Sequence, residues 1–249
     1  MLDSILVYLG FAVICVGLLS ILWPLRFLRV RTRARGAIVA AIGLLVLIVA
    51  LSLPAETKTV STPVTKLDEW MPTWQFAEQH MIHVDAPPEK VFVAIREVRA
   101  NEILFFRTLS AIRRCGRPGP ESIMNAPEEK PLLDVATATT FIYLVDDPPR
   151  ELVVGTVVAA PRGIHAPAKL TPEIFRKTLP SGIALATMNF LVTPDDRGGS
   201  TITSVTRVYG NSPSIVRRFA IYWRIIYPGS DIIRRTWLRA IKRRAETQA

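Results

Sequence analysis

The sequence predicts an α+β protein carried on two membrane-length helices, and three observations predict it. Two uncharged apolar runs open the chain, alternating runs cut by proline- and glycine-bearing turns fill its middle, and a long stretch at helical spacing follows them. The domain plan is a transmembrane hairpin over residues 1–55, a linker over 56–73 and one domain over 74–249.

The apolar runs are Ser4 to Leu25 and Gly36 to Ala55. Each is about 20 residues long, which a helix rising ~1.5 Å per residue needs to cross a hydrocarbon core of ~30 Å. A cleaved signal peptide is the alternative for the first run. It lacks a basic start, however, and Trp23-Pro24-Leu25-Arg26 stands where a small-residue cleavage site would fall. A buried core helix, the alternative for the second run, would show a polar face, and Ala37 to Val46 shows none.

Arg26, Arg29, Arg31, Arg33 and Arg35 lie between the runs, so the connecting loop is expected on the cytoplasmic side. The expected placement is a two-pass protein of the cytoplasmic membrane, its C-terminal domain on the extracytoplasmic side. Neither run carries an ionisable side chain, which argues against a channel or pump made of these helices alone. Gly10 and Gly17, seven apart, permit close approach of another helix, as in a scaffold that pairs with membrane proteins.

Pro54 to Pro72 is polar and threonine-rich with prolines, and reads as a tether. Trp70 and Trp74 suit either the headgroup layer or the start of the fold. Cys15 lies in the first run and Cys115 is alone in the domain, so the domain has no internal disulfide and no cysteine-type zinc site. His80, His83 and His165 have no metal-ligand spacing; no metal and no cofactor are expected.

The formal net charge of +10 is unevenly spread. Residues 74–210 are balanced, whereas Asn211 to Ala249 sets nine basic residues against Asp231 and Glu246. The interleaving of basic and aromatic residues that a nucleic-acid groove needs is missing elsewhere, so no nucleic-acid partner is expected. Anionic lipid headgroups fit better, at ~1 kcal/mol per basic residue near the surface. A solvated helix face is the plain alternative.

Within the domain, Gln75 to Asp85 alternates as a strand, with Phe76, Glu78, His80, Ile82 and Val84 on one face. Ala86-Pro87-Pro88-Glu89 stops it and starts a helix whose apolar face is Val91, Phe92 and Ile95. A second short helix is expected from Glu102 to Ile112, closed by the Gly/Pro-rich Cys115 to Pro120. Thr139 to Val145 and Glu151 to Ala159 form a hairpin across a turn bearing Pro148-Pro149; both faces are apolar, so parity stays open over 139–159. A short helix near Thr171 to Lys177 leads to a second hairpin, Ile183 to Thr193 with Ser200 to Tyr209. In the final stretch Ile215, Phe219, Tyr222 and Ile226 recur at helical spacing, Pro228-Gly229 breaks the rhythm, and Ile233, Trp237, Ala240 and Ile241 resume it.

That order of elements is a helix-grip: a curved antiparallel sheet around a long C-terminal helix. Glu78-x-His80 with Ala86-Pro87-Pro88-Glu89-Lys90-Val91-Phe92 resembles the first strand and helix of the START-like, Bet v 1-like (SRPBCC) superfamily, in its polyketide cyclase/dehydrase and lipid transport branch. Phe175 to Gly182, Thr206-Arg207-Val208, and the pattern from Arg218-Phe219 through Tyr222-Trp223, Pro228-Gly229-Ser230 and Ile233-Arg234-Arg235 extend the likeness over Trp74 to Glu246. Related sequences often read Thr-Glu-Thr-Arg-Val where this chain has Ser204-Val205-Thr206-Arg207-Val208. The resemblance implies a cavity between sheet and helix for a lipid, isoprenoid or polyketide, driven by apolar burial at about 25 cal/mol per Å².

Candidate ligand-binding residues are Glu78 and His80 on the inward strand face, the strand polar residues Tyr143, Asn189 and Arg207, and Phe219, Tyr222 and Trp223 on the terminal helix. Glu78 and His80 are also the acid/base candidates if the chain is a cyclase- or dehydratase-type enzyme. Their plain alternative is a wet or ion-paired strand end, with Arg207 as partner. The aromatic stripe is equally at home in an ordinary core. The leading expectation is a membrane-anchored binding or transfer module for an apolar small molecule; an enzyme and a membrane scaffold are the rivals.

Overall fold

The computed structural model describes residues 2–23, 30, 32–160, 170–177 and 179–247. The chain divides into two compact units, Met1–Ala55 with Ala220–Pro228, and Glu56–Phe219 with Gly229–Ala249.

In the first unit, α1 (Leu2–Leu22) and α2 (Arg33–Ser52) are both long and apolar enough to cross a membrane. Thr32 caps α2, accepting the Arg35 N–H at 3.3 Å, so Arg33 and Arg35 belong to its first turn. Arg26, Arg29 and Arg31 lie outside the described residues. The helices run antiparallel, because Gly10 faces Leu47, Gly17 faces Ala40 and Gly36 faces Ile21. Glycines make this seam: a methyl group on Gly43 would stand 2.7 Å from the Ile14 backbone nitrogen, too close for a side chain. Gly10 and Gly17, expected to receive a partner helix, are thus occupied by the chain's own α2.

The second unit is built on a five-stranded antiparallel sheet in the order β3-β7-β6-β5-β4. Its strands are β3 (Phe76–Val84), β4 (Phe141–Asp147), β5 (Glu151–Ala159), β6 (Ala184–Pro194) and β7 (Ser200–Gly210). The two hairpins form where turn residues punctuate the alternation. With the C-terminal part of α8 (Pro213–Thr247) packed on one sheet face, this is the α+β helix-grip arrangement preceded by two apolar helices. Pro228 lies inside α8, and the helix runs through the expected break.

The sheet has two buried faces. Val154, Met188, Phe190 and Ile202 form the inner face with Trp237, Leu238 and Ile241 of α8 and with α4 (Pro88–Glu97) and α6 (Leu132–Thr139). α5 (Phe106–Arg113) follows a single 3₁₀ turn at Ala100–Glu102 and begins four residues later than the expected Glu102. The outer face carries a smaller core in which Val153, Leu185 and Val205 meet Leu67, Met71 and Phe175.

Residues 54–72, expected as a tether, contain part of that outer core. β1 (Lys58–Thr59) pairs with β2 (Thr73–Trp74), and α3 (Lys66–Trp70) buries Leu67 and Asp68. A capping box holds α3: Thr65 accepts the Asp68 N–H, and the Asp68 carboxylate accepts the Thr65 N–H at 2.9 Å. α7 (Pro172–Arg176), capped by Thr171, adds Phe175. Local polarity suggested a linker; two buried apolar side chains at one helical turn's spacing make it a packed element.

Candidate functional site

Strand register fixes which polar residues meet. Glu78 pairs with Thr206, Thr206 with Met188, Met188 with Val154, and Val154 with Tyr143, so one transverse row on the inner face holds all five. His80 pairs with Ser204 in the neighbouring row. Glu78, His80, Ser204 and Thr206 are buried. β3 and β7 thus set a patch of four polar side chains at one margin of a mostly apolar face.

α8 covers this patch with charge. Ser230 Oγ donates to Glu78 Oε1 at 2.9 Å, and Arg234 Nε donates to the same oxygen at 3.3 Å. The Arg234 guanidinium also lies against the Met188 sulfur and 5.4 Å from the centre of the Trp237 ring. Burial lowers the affinity of Arg234 for its proton, and Glu78 opposes that shift. His80 Nε2 stands 3.7 Å from Asp231 Oδ1, and Arg235 pairs with the same carboxylate. Burial pushes the His80 imidazole below its ordinary value, against the pull of Glu78 and Asp231 towards protonation.

The patch is not closed internally. Among the described residues, Glu78 Oε2, His80 Nε2, Ser204 Oγ, Thr206 Oγ1 and Trp237 Nε1 are buried without a hydrogen-bond partner. Four of these atoms lie on β3 and β7 and the fifth on α8, so the unpartnered polar atoms gather where the helix crosses this margin of the sheet. An open crevice of about 290 Å³ at the β3 edge is bordered by His80, Ile82, Arg235 and Leu238, and touches the patch at His80 alone.

The other sequence-expected residues fall elsewhere. Tyr143 shares the row but sits on β4, at the opposite edge of the sheet and about 19 Å from Glu78 at ~4.8 Å per strand. Burial raises its phenol above the ordinary value. Asn189 and Arg207 point to the outer face. Asn189 donates to Glu151 Oε1 at 2.7 Å and accepts the Val205 N–H, while Glu151 accepts the Lys66 and Leu67 N–H groups at the start of α3. Arg207 binds Asp68 at 2.7 Å and the Met71 carbonyl at 3.0 Å, and lies over the Trp74 ring. Both residues hold α3 to the sheet, and the partner of Glu78 is Arg234, not Arg207.

Phe219 packs on Phe76, ring centres 5.1 Å apart, two residues along β3 from Glu78. Tyr222 and Trp223 fall in the other compact unit, with Trp223 against Tyr227. His165 lies outside the described residues. The apolar hollow expected between sheet and helix is, along the C-terminal half of α8, filled by Met188, Phe190, Ile202, Trp237 and Ile241, with Phe190 and Trp237 edge to face at 5.4 Å. A separate open depression of about 720 Å³ lies on the outer face, bordered by Trp70, Phe175, Leu185 and Tyr209. Much of the basic end of α8 is spent within the domain: Arg244 pairs with Glu97 and Glu102, and Lys242 with Glu246.

No protein-family model matches the chain, and no curated protein matches it. Among solved structures, a Mesorhizobium loti protein aligns at 13% identity and a TM-score of 0.33, covering 70% of this chain and 99% of its own. A Thermus thermophilus protein aligns at 8% identity and a TM-score of 0.27, covering 70% and 99%. Ara h 8.0201 aligns at 12% identity and a TM-score of 0.22, covering 69% and 98%.

Sequence reasoning missed Ser204, Thr206, Ser230, Arg234 and Trp237. The alternation of β7 carried part of the signal, since Ser200, Ile202, Ser204, Thr206 and Val208 share one parity. Nothing local separates Arg234 from the solvated arginines around it.

Proposed function

We propose that the chain is a membrane-anchored, START-like module that binds or transfers an apolar small molecule with a polar head, displayed on the extracytoplasmic side of the cytoplasmic membrane. One observation carries the reading: a buried polar patch with five unpartnered atoms, among the described residues, at the margin of an apolar sheet face. A ligand hydroxyl or amine would complete Glu78 Oε2 and Thr206 Oγ1, and a carbonyl would take the Trp237 N–H. The apolar remainder would lie towards Ala184 and Ala186, whose small side chains fill the inner face least.

The two apolar helices support the anchor by length and composition, and the arginines between them support the orientation. The proposed partners are the bilayer and the apolar ligand, with anionic headgroups meeting the exposed Arg217 and Arg218. Glu78 tied to Ser230 and Arg234 favours holding a ligand over moving protons.

Native mass spectrometry of the full chain extracted from membranes tests this directly. A retained small molecule, reduced in a Glu78→Gln variant, is expected. A delipidated chain that takes up no fluorescent lipid or isoprenoid, where a known carrier does, would refute the reading.

A further inference from the structure

We propose that residues 220–228 of α8 are a third membrane element, an interfacial segment whose Ile221 and Ile225 face the lipids around α1 and α2 and which Arg224 pins to the hairpin. The inference rests on the membrane-anchor reading above and adds to it a part of the chain that the hydropathy pattern assigns to the soluble domain. Residues 220–228 belong to the same compact unit as α1 and α2. Arg224, its side chain only 4% exposed, donates to the Leu51 carbonyl at 3.2 Å, the Leu53 carbonyl at 2.7 Å and the Asp3 carboxylate at 3.2 Å.

Each of those acceptors suits a guanidinium. Leu51 and Leu53 end α2, where carbonyls lack helical partners and the helix dipole is negative. Asp3 stands in the first turn of α1 and supplies a charge-assisted bond. Because the helices are antiparallel, the start of α1 and the end of α2 form one rim, and Arg224 joins both. A second bond fixes the same level: Tyr8 leans back towards the α1 N-terminus, as helical side chains do, and its hydroxyl donates to the Ile225 carbonyl at 2.7 Å.

With its charged side chain spent on the rim, the segment turns an apolar face outward. Ile221 and Ile225, one helical turn apart, are exposed, and so are Ile5 and Leu9 on α1 at the same rim. The surface is therefore continuous with the lipid-facing side of the spans. Tyr222, Trp223 and Tyr227 are the residue types that collect at the headgroup boundary, and Arg217 and Arg218 precede them on the chain. A soluble environment offers this face nothing; a bilayer already surrounding α1 and α2 covers it with acyl chain ends.

The test places a nitroxide label at Ile221→Cys, Ile225→Cys, Leu45→Cys or Met81→Cys in the full chain with Cys15 and Cys115 changed to serine, in phosphatidylethanolamine and phosphatidylglycerol vesicles. Collision with oxygen and with a water-soluble nickel chelate is then measured. Labels at 221 and 225 are expected to show a severalfold higher ratio of oxygen to nickel collision than the label at 81, between that label and the one at 45. A lipid-exposed label at 45 with water-exposed labels at 221 and 225 overturns this inference and leaves the anchor standing. A water-exposed label at 45 overturns the anchor, and the inference with it. Arg224→Gln is expected to move labels 221 and 225 towards the water signal; unmoved labels would overturn the pinning role.

Discussion

The two faces of the sheet bury acidic side chains by opposite means. On the outer face Glu151 and Asp68 are enclosed by donors from their own chain: three N–H groups on Glu151, and two backbone N–H groups with a guanidinium on Asp68. On the inner face Glu78 has one oxygen engaged and one unpartnered, beside a histidine, a serine and a threonine in the same condition. Burial penalises both faces alike. The difference teaches that completeness of hydrogen bonding, rather than burial of charge, distinguishes the two clusters: on the outer face both carboxylates are satisfied, with Arg207 Nε left unpartnered among the described residues, whereas on the inner face the carboxylate itself is half satisfied.

The largest effect should come from breaking the outer cluster. Arg207→Ala leaves Asp68 buried beside empty space and frees the Met71 carbonyl, and is expected to cost about 3–4 kcal/mol. Urea denaturation of the detergent-solubilised chain, followed by far-ultraviolet circular dichroism, measures it; a loss below about 1 kcal/mol would show that the outer cluster is not structural.

Next comes the same substitution on each face. Glu151→Gln sets an amide against donors that already fill the site, and should cost about 2–3 kcal/mol. Glu78→Gln keeps an acceptor for Ser230 and Arg234 and should cost about 1 kcal/mol while reducing the retained ligand. Equal stability losses with unchanged ligand content would erase the distinction between the faces.

The smallest effect is a pH dependence that sorts the faces by window. The folded His80 holds its proton less tightly than the unfolded chain, whose imidazole titrates near 6.5, so the unfolded state takes up a proton first as pH falls. Its contribution is present above about pH 6.5 and is lost below it as pH falls towards the folded value. For Asp68, burial works to raise the carboxyl, but the Val64 and Thr65 N–H groups and Arg207 outweigh it and hold it below its ordinary 3.8. That contribution is present above pH 3.8 and lost below it. Thermal midpoints at successive pH values should show two separate declines, and His80→Gln should remove only the upper one.

The architecture was legible because it depends on local punctuation. Glu151–Ala159 forms the strand that its β-branched run between turn residues implies, and Pro87-Pro88-Glu89 starts α4 where fixed φ and a first-turn acid favour it. α6 was invisible, since the alternating Ala136-Thr137-Ala138-Thr139-Thr140 runs its end into the strand that follows. The site was half legible. Glu78 and His80 stood on the inward face by simple alternation, whereas Asn189 and Arg207 read only as strand polar residues, because the partners that show their face, Glu151 and Asp68, lie on other elements. Arg234 lies 156 residues from Glu78, and no pattern within a helix turn announces that pairing. The readable sign of α3 was Thr65-x-x-Asp68, a capping box hidden in a stretch whose composition suggested a tether.

Under the proposed membrane placement, the glycine seam between α1 and α2 has a consequence for how the hairpin would behave among other membrane proteins. Gly10 and Gly17 are met by α2, and Gly36 and Gly43 by α1, so the smooth strip each helix would offer a stranger is already taken. The outward surface near that seam is aliphatic, with Ile5, Leu9, Leu45 and Ile48 exposed, and hydrocarbon tails solvate such groups as well as another helix would. The hairpin satisfies its own seam, so a partner helix in the proposed membrane setting would have to pack against side chains outside that strip.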